Sequence, residues 1–332
     1  MAEVVLQNVS KAFGKTQAID DVSMTIADGA FVVLLGPTGA GKTTTLRLIA
    51  GLEKPEAGRI HIGGMDTHGL TPAQRDVAMV FQQYSLYPHM SVRDNLAFPL
   101  RSPILKTPED VIAKRVQEVA EVLHIPHKLD NKATELSGGE MQRVSIGRAL
   151  VREPQVFLMD EPLSSLDAKL RADLRVELKR IHAELNATLL YVTHDQIEAM
   201  TMATHVGVLD EGKMVQFGTP REIYEDPTST YVAARLGLPR INLLPVGLFG
   251  EAAPQGATTI GLRPEHITEG AGADAQVARI EHLGDQTRVH LKLRDHDVVT
   301  LTDAHTTLNA GDTIQVTPKN PLFFDAAGAR IS

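Results

Sequence analysis

A chain of 332 residues, 43% of them hydrophobic, is long enough for two cores, since domains commonly run to roughly 100–200 residues. Its net charge of −8 supplies no basic face for nucleic acid or an anionic membrane surface, and the lack of any cysteine excludes disulfides, thiolate metal sites and cysteine nucleophiles. The N-terminus, Met-Ala-Glu-Val-Val-Leu, has no signal-peptide pattern, and the Ala30–Leu35 apolar run falls far short of the roughly 20 residues that span a bilayer. The expectation is a soluble cytoplasmic chain that meets a membrane only through a partner.

Residues 3–9 and 22–26 cluster Val, Leu, Ile and Met between the turn signals Phe13-Gly14-Lys15 and Asp28-Gly29, as strands of an antiparallel layer do. Phe31–Leu35 is continuously apolar, which fits a strand buried on both faces of a parallel sheet. It runs directly into Gly36-Pro37-Thr38-Gly39-Ala40-Gly41-Lys42-Thr43, a G-x-x-x-x-G-K-[ST] phosphate loop in its required place between a strand and the helix predicted over 44–50. Glycines let the backbone wrap a phosphate with its N–H groups pointing inward. Lys42 would pair the β- and γ-phosphates, with Thr43 offering its hydroxyl to Mg²⁺; Thr44 continues the loop into the helix.

Further along, residues 82–92 (Gln82 to Val92) lead into a helical insert, and apolar residues at 112, 116, 119, 120 and 123 fit a helix. His124 and His127, the closest histidine pair, are split by Pro126 in a helix-ending turn, which argues against zinc there. Leu136-Ser137-Gly138-Gly139-Glu140-Met141-Gln142-Arg143 opens another helix about a hundred residues after the phosphate loop. Val156–Asp160 reads as a second buried strand ending in the pair Asp160-Glu161, followed by Pro162 and Ser164-Ser165-Leu166-Asp167. At such a strand end Asp160 can hold Mg²⁺ through water, while Glu161 can polarise an attacking water. Leu166, Leu170, Leu174, Leu178, Ile181 and Leu185 make an amphipathic helix. Strands follow at 188–193 and 206–209, the second joined through Asp210-Glu211-Gly212 to 214–217 as a hairpin.

From about residue 240 prolines and glycines crowd a stretch without helical period. After it Val289, Leu291 and Leu293 alternate with Arg288, His290, Lys292 and Arg294, one face apolar and one wet. This predicts a small all-β domain, with a boundary near 236–245. Residues 240–332 hold eight Lys and Arg against eleven Asp and Glu, with Phe249, Phe323 and Phe324 as their aromatics, where single-strand nucleic-acid binding needs a basic groove with stacking rings.

Over residues 4–235 the order of motifs closely resembles the ABC ATPases, and Gly261-Leu-Arg-Pro-Glu-His266 resembles the C-terminal regulatory domains of the maltose- and glycerol-3-phosphate-type carbohydrate importers. The resemblance implies an α/β P-loop ABC domain over 1–238, with an antiparallel β layer and a helical insert, and an OB-like, TOBE-type domain over 239–332. It places Phe13 on adenine, Gln82 on the metal and water, and Ser137, Gly138 and Gly139 with Glu140 against ATP held by a second copy. Asp167 falls in the loop that crosses the dimer interface, and His194 where the γ-phosphate is touched.

It further implies ATP with Mg²⁺, a homodimer, two integral membrane permease subunits and, indirectly, an extracytoplasmic solute-binding protein, at the cytoplasmic face of the inner membrane and without nucleic acid. The cargo implied is a sugar, polyol or sugar derivative; polyamine, sulfate and iron importers use similar ATPases, and a soluble nucleic-acid-associated ABC protein is the rival of another class. Three points stay open. Phe13 replaces the more usual Tyr and reads either as a stacking ring or as core. Glu140, where Gln is commoner, completes a Ser-x-x-Glu capping box, yet adds a carboxylate where phosphate is to dock. Tyr84, Leu86, Tyr87 and Met90 read either as a docking patch or as the insert's own core.

Overall fold

The structure, a computed structural model, describes residues 1–102 and 105–331. It divides into two compact units, Met1–Pro220 and Arg221–Ser332.

In the first unit, β1 (Val4–Phe13) and β2 (Thr16–Ile26) form a hairpin around Gly14-Lys15, where the turn residues place it. β3 (Phe31–Leu35) leads into α1 (Lys42–Ala50). β4 (Ala57–Ile62) and β5 (Met65–Asp66) complete an antiparallel sheet of order β2-β1-β4-β5. β6 (Val77–Val80), the insert helices α2 (Val92–Ala97) and α3 (Glu109–Val122), and α4 (Gly138–Leu150) follow. After these come β7 (Val156–Asp160), α5 (Ala168–Leu185), β8 (Leu189–Thr193), α6 (Gln196–Met202), β9 (His205–Asp210) and β10 (Lys213–Gly218). The second sheet has the order β10-β9-β3-β8-β7-β6, parallel from β9 to β6 with β10 antiparallel at its edge.

Hydrophobic pattern explains the layering. Every side chain of β3 and β8 is buried, as continuous apolar runs require when both faces are covered. β1 and β2 bury alternate residues instead, and Leu6, Val9, Ile19, Val22 and Ile26 share one core with Leu34, Leu46, Ile49 and Leu158. The β9–β10 hairpin turns through Glu211 and Gly212, both at positive φ, the conformation that a two-residue primed turn demands.

The predicted long helix starts two residues later than its leucine stripe, because Asp167 takes the cap: its Oδ1 accepts from the backbone N–H of Leu170 at 3.0 Å. Leu166 is therefore outside the helix, and buried.

From the unit boundary onward, α7 (Pro220–Glu225) and α8 (Thr230–Ala233) precede β11 (Asn242–Pro245), β12 (Thr259–Leu262), β13 (Ile267–His282), β14 (Gln286–Leu293), β15 (His296–Asp303), β16 (Thr313–Pro318), β17 (Leu322–Phe324) and β18 (Arg330–Ile331). They form two antiparallel sheets, β11-β12-β17-β18 and β15-β14-β13-β16, around Ile260, Leu262, Val289, Leu291, Leu293 and Val316.

Most of the segment 221–238 belongs by contact to these sheets, although its sequence texture continues the first unit. Arg263, 2% exposed, makes the link: its Nη1 donates to the carbonyls of Ala233 and Leu236, its Nη2 to that of Tyr224 at 2.8 Å, and its guanidinium lies 3.8 Å from the Tyr224 ring centroid.

Candidate nucleotide site

Parallel pairing assembles the site. Leu35 pairs with Thr193 and Asp160 with Val192, so β3, β8 and β7 end at one edge, side by side. The residues following those ends are Gly36, His194 and Glu161. An open parallel sheet commonly binds ligands in this crevice beyond its carboxyl ends.

The loop of 36–41 turns into α1 with Gly39 at φ 85° and Gly41 at φ 101°, values that exclude a side chain with a Cβ at low cost. Gly41 caps α1 without any side-chain hydrogen bond, and the first turn holds no acidic residue. The leading N–H groups are thus available to an anion, and the helix dipole favours one. Thr38 and Gly39 are exposed, Pro37 and Thr44 half-buried, and Gly36, Ala40 and Gly41 buried.

Lys42 is 5% exposed and its Nζ donates to the carbonyls of Gly36 and Pro37, each at 3.0 Å. Burial holds its ammonium below the ordinary lysine value, against the pull of the Glu161 carboxylate 3.7 Å away.

Thr43 donates its hydroxyl to Asp160 Oδ1 at 2.8 Å. Burial pushes the Asp160 carboxyl up, Thr43 opposes this, and the neighbouring Glu161 charge adds to the rise. Arg47 and Lys42 offset that rise only in part, and a divalent cation would supply further positive charge. One carboxylate and one hydroxyl also suit Mg²⁺, which keeps several waters and takes the rest of its shell from phosphate. Among the described residues no cluster of three or more His, Asp or Glu could hold a metal by itself.

Glu161 occupies left-handed backbone at φ 43°, a conformation costing a residue with a Cβ roughly 1 kcal/mol or more. It is held there by its N–H donating to the Val192 carbonyl at 3.1 Å, and by its own carbonyl accepting from the Ser164 hydroxyl at 2.9 Å and the Ser164 N–H at 3.2 Å. Its Oε2 lies 3.1 Å from His194 Nδ1. A carboxylate fixed between an ammonium and an imidazole at the mouth of a phosphate loop can accept a proton from water while those neighbours stabilise negative charge developing on phosphate.

Gln82 reaches this group indirectly, its Nε2 donating to Ser164 Oγ at 3.4 Å. Phe13 is 45% exposed, with Lys11 Nζ 5.1 Å from its ring centroid. The core reading of Phe13 falls on that exposure.

The Ser137 segment stands apart from these residues. Ser137 caps α4 in a full capping box: its Oγ accepts from the Glu140 N–H at 3.4 Å, while Glu140 Oε2 accepts from the Ser137 N–H and hydroxyl, each at 2.9 Å. The Ser137 N–H, foremost, and Lys128 hold the Glu140 carboxyl below the usual carboxylate range. Gly139 lies against α5, where a Cβ would come within 2.6 Å of a Leu170 methyl. Gly138 lies beneath Tyr84, where a Cβ would come within 3.2 Å of the phenol oxygen.

Sequence reasoning missed two residues that tie these loops together. Arg171 donates to the carbonyls of Leu163 at 3.3 Å and Leu166 at 2.9 Å, and its Nη1 lies 3.7 Å from Asp195 Oδ2. One guanidinium thus joins the loop after Glu161 to the residue after His194. Tyr84, singled out only as apolar, sets its oxygen 3.3 Å from Ser165 Oγ. Neither position carries a motif; only the fold brings its partners together.

The four apolar residues of 84–90 separate. Tyr84 lines a groove with Phe81, Ser85, Phe98, Pro99 and Arg148, where Phe81 and Phe98 are each 43% exposed. Tyr87 packs on Phe98, ring centroids 4.4 Å apart, beneath the Arg148 guanidinium. Leu86 and Met90 are half-buried and do not line the groove.

Comparison with known proteins agrees with this geometry. Residues 19–164 match the ABC transporter family and residues 260–320 the TOBE domain family. The chain is 44% identical, over the whole of both chains, to a protein of Ruegeria pomeroyi named sn-glycerol-3-phosphate import ATP-binding protein UgpC. It is 46% identical to the protein of that name from Cupriavidus necator, covering 96% of this chain and 95% of the relative.

Among solved structures, cbiO1 of Clostridium perfringens, described as part of the ABC transporter complex cbiONQ, superposes with a TM-score of 0.63 at 28% identity, over 67% of this chain and 90% of that one. The ADP conformation of MJ1267, an ATP-binding cassette of an ABC transporter, gives 0.62 at 28% identity, over 70% and 98%. With relatives this similar along their full length, and a strand-loop-helix phosphate site to match, the chain belongs to the ATP-binding, ATP-hydrolysing subunits of ABC transporters.

Proposed function

We propose that two copies of this chain close head to tail on two ATP molecules, and that hydrolysis reopening them drives a separate membrane permease importing a sugar derivative. The observation carrying the catalytic part is the Lys42–Glu161–His194 group at the carboxyl edge of β3, β7 and β8. Lys42 and the α1 N-terminus take the phosphates, and the loop residues Gly36, Pro37, Thr38, Gly39, Ala40, Gly41 and Thr44 shape the cradle. Phe13 offers its exposed face to adenine.

Thr43 and Asp160 would hold Mg²⁺, with Gln82 as a further contact to metal and water, and the ion would neutralise phosphate charge. Glu161 accepts the proton of the attacking water, while His194 orients the carboxylate and faces the γ-phosphate. Ser137, Gly138, Gly139 and Glu140 face the partner copy's nucleotide, and Asp167 lies at the crossing between copies.

The groove of Phe81, Tyr84 and Phe98 is an apolar seat for a short permease helix, rimmed by the Arg148 charge. No helix among the described residues is long and apolar enough to cross a membrane, which fits a peripheral subunit at the cytoplasmic face. The relatives' names support sn-glycerol-3-phosphate as the cargo, and the change of sequence texture supports a regulatory domain over 239–332, to which the segment from Arg221 adds its contacts.

Co-purification from membranes with the permease, followed by reconstitution with the solute-binding protein, tests this. ATPase activity should rise when the binding protein carries sn-glycerol-3-phosphate, and less or not at all with maltose, a polyamine or sulfate. Recovery with nucleic acid and without integral membrane protein would overturn the transport reading.

A further inference from the structure

The capping box at α4 sets a conflict. Ser137 has one hydroxyl proton, and it points to Glu140 Oε2 at 2.9 Å. If Ser137 and the α4 N-terminus receive the partner copy's γ-phosphate, as proposed above, Glu140 competes for that proton and adds negative charge where an anion must arrive.

Lys128 answers the conflict. Its Nζ lies 3.1 Å from Glu140 Oε1, the oxygen that the cap does not use, and both side chains are about one-quarter exposed, at 28% and 25%. The lysine is firmly placed. It closes a turn at Pro126–Lys128 flanked by Ile125 and Leu129, which are 2% and 3% exposed, and the Ile125 N–H donates to the Ala120 carbonyl at the end of α3 at 2.9 Å.

We infer that Lys128 is a positioning residue for the ATP site in trans: held against Glu140 Oε1, it neutralises the carboxylate beside the Ser137 hydroxyl and the α4 N-terminus, so that an arriving phosphate can take that hydroxyl's proton in its place. Glutamate at position 140 is thereby tolerated because lysine stands at position 128. The two positions act as a pair, joined across twelve residues of loop and turn. With glutamine at position 140 there is no charge to neutralise, and Lys128 becomes dispensable.

The experiment measures kcat and KM for ATP on the full chain for the wild type, Lys128→Ala, Lys128→Arg, Glu140→Gln and the Lys128→Ala/Glu140→Gln double variant. Lys128→Ala should raise KM about five-fold, in the range of charge effects at helix termini, with kcat within about two-fold. Lys128→Arg should restore KM, and the double variant should match Glu140→Gln. An unchanged KM in Lys128→Ala, or an equal penalty in the Glu140→Gln background, overturns the pairing.

MgATP-dependent dimerisation of Glu161→Gln, followed by sedimentation, separates the two levels. Absence of a dimer removes the head-to-tail reading itself. A dimer together with an unchanged Lys128→Ala KM removes only the lysine's role.

Discussion

Glu161 Oε2 and His194 Nδ1 lie 3.1 Å apart at the ends of two neighbouring parallel strands. The Glu161 backbone is fixed from both sides, so the carboxylate reaches the imidazole without a search. Replacing Glu161 by Gln keeps the shape and removes the proton acceptor. Hydrolysis should fall by roughly 10²-fold or more, while MgATP still binds and holds the chains as a closed dimer. Sedimentation in saturating MgATP checks this, and an unchanged monomer would count against it.

Lys42→Ala has a different expected phenotype. The ammonium is buried at the base of the loop, so its loss removes phosphate binding in ground state and transition state together. Nucleotide affinity measured by equilibrium binding should drop by at least about ten-fold. Retained affinity with lost turnover would contradict that assignment.

Arg171→Ala should leave ATP affinity within about three-fold and lower kcat by roughly 10- to 100-fold. The guanidinium touches the loop following Glu161 and the Asp195 next to His194, so its removal loosens geometry rather than binding. Arg171→Lys should recover only part, because one ammonium cannot reproduce the forked contacts. A KM effect without a kcat effect would refute the positioning role.

Glu198 gives a pH-dependent prediction. It is 2% exposed, accepts from the Tyr191 hydroxyl at 2.9 Å, and burial raises its pKa. Below the unfolded-state value of about 4.3 both states are protonated and the shift costs nothing. As pH rises past that value the unfolded chain loses its proton first, so stability falls until the folded value is also passed. Glu198→Gln removes this loss. The difference in melting temperature between variant and wild type should therefore grow in the variant's favour from pH 4 towards neutrality; a constant difference would refute it.

Arg263→Ala should destabilise the C-terminal unit by about 3 kcal/mol, since three carbonyls lose a charged donor in a buried setting. Hydrogen exchange in β12 should accelerate accordingly. Protection as strong as in the wild type would show that 221–238 is held by other contacts.

The strand ends that build the candidate site were legible because each is a local pattern: an apolar run, then Gly36, Asp160-Glu161 or His194. Their convergence also followed, since parallel strands share an edge. Lys128, Arg171 and the phenol of Tyr84 were not legible, because each acts on partners distant in sequence through no repeated spacing. The left-handed Glu161 was hidden for a related reason: a glutamate at positive φ is set by Val192 and Ser164, not by its own preference. At the boundary between units, the proline-rich texture after 239 marked a change of composition, whereas Arg263 binds carbonyls 27–39 positions earlier. For Glu140 the capping box forms as the Ser-x-x-Glu pattern predicts, and the carboxylate also has a partner in Lys128 that no local pattern announced.

Tyr84 stands with its ring in the wall of the groove and its oxygen against Ser165 and Gly138. In the head-to-tail dimer proposed above, Gly138 would face the neighbour's nucleotide, while Ser165 stands in the chain's own loop, four residues after Glu161. A helix seated on that ring would rest on a single side chain that touches both loops.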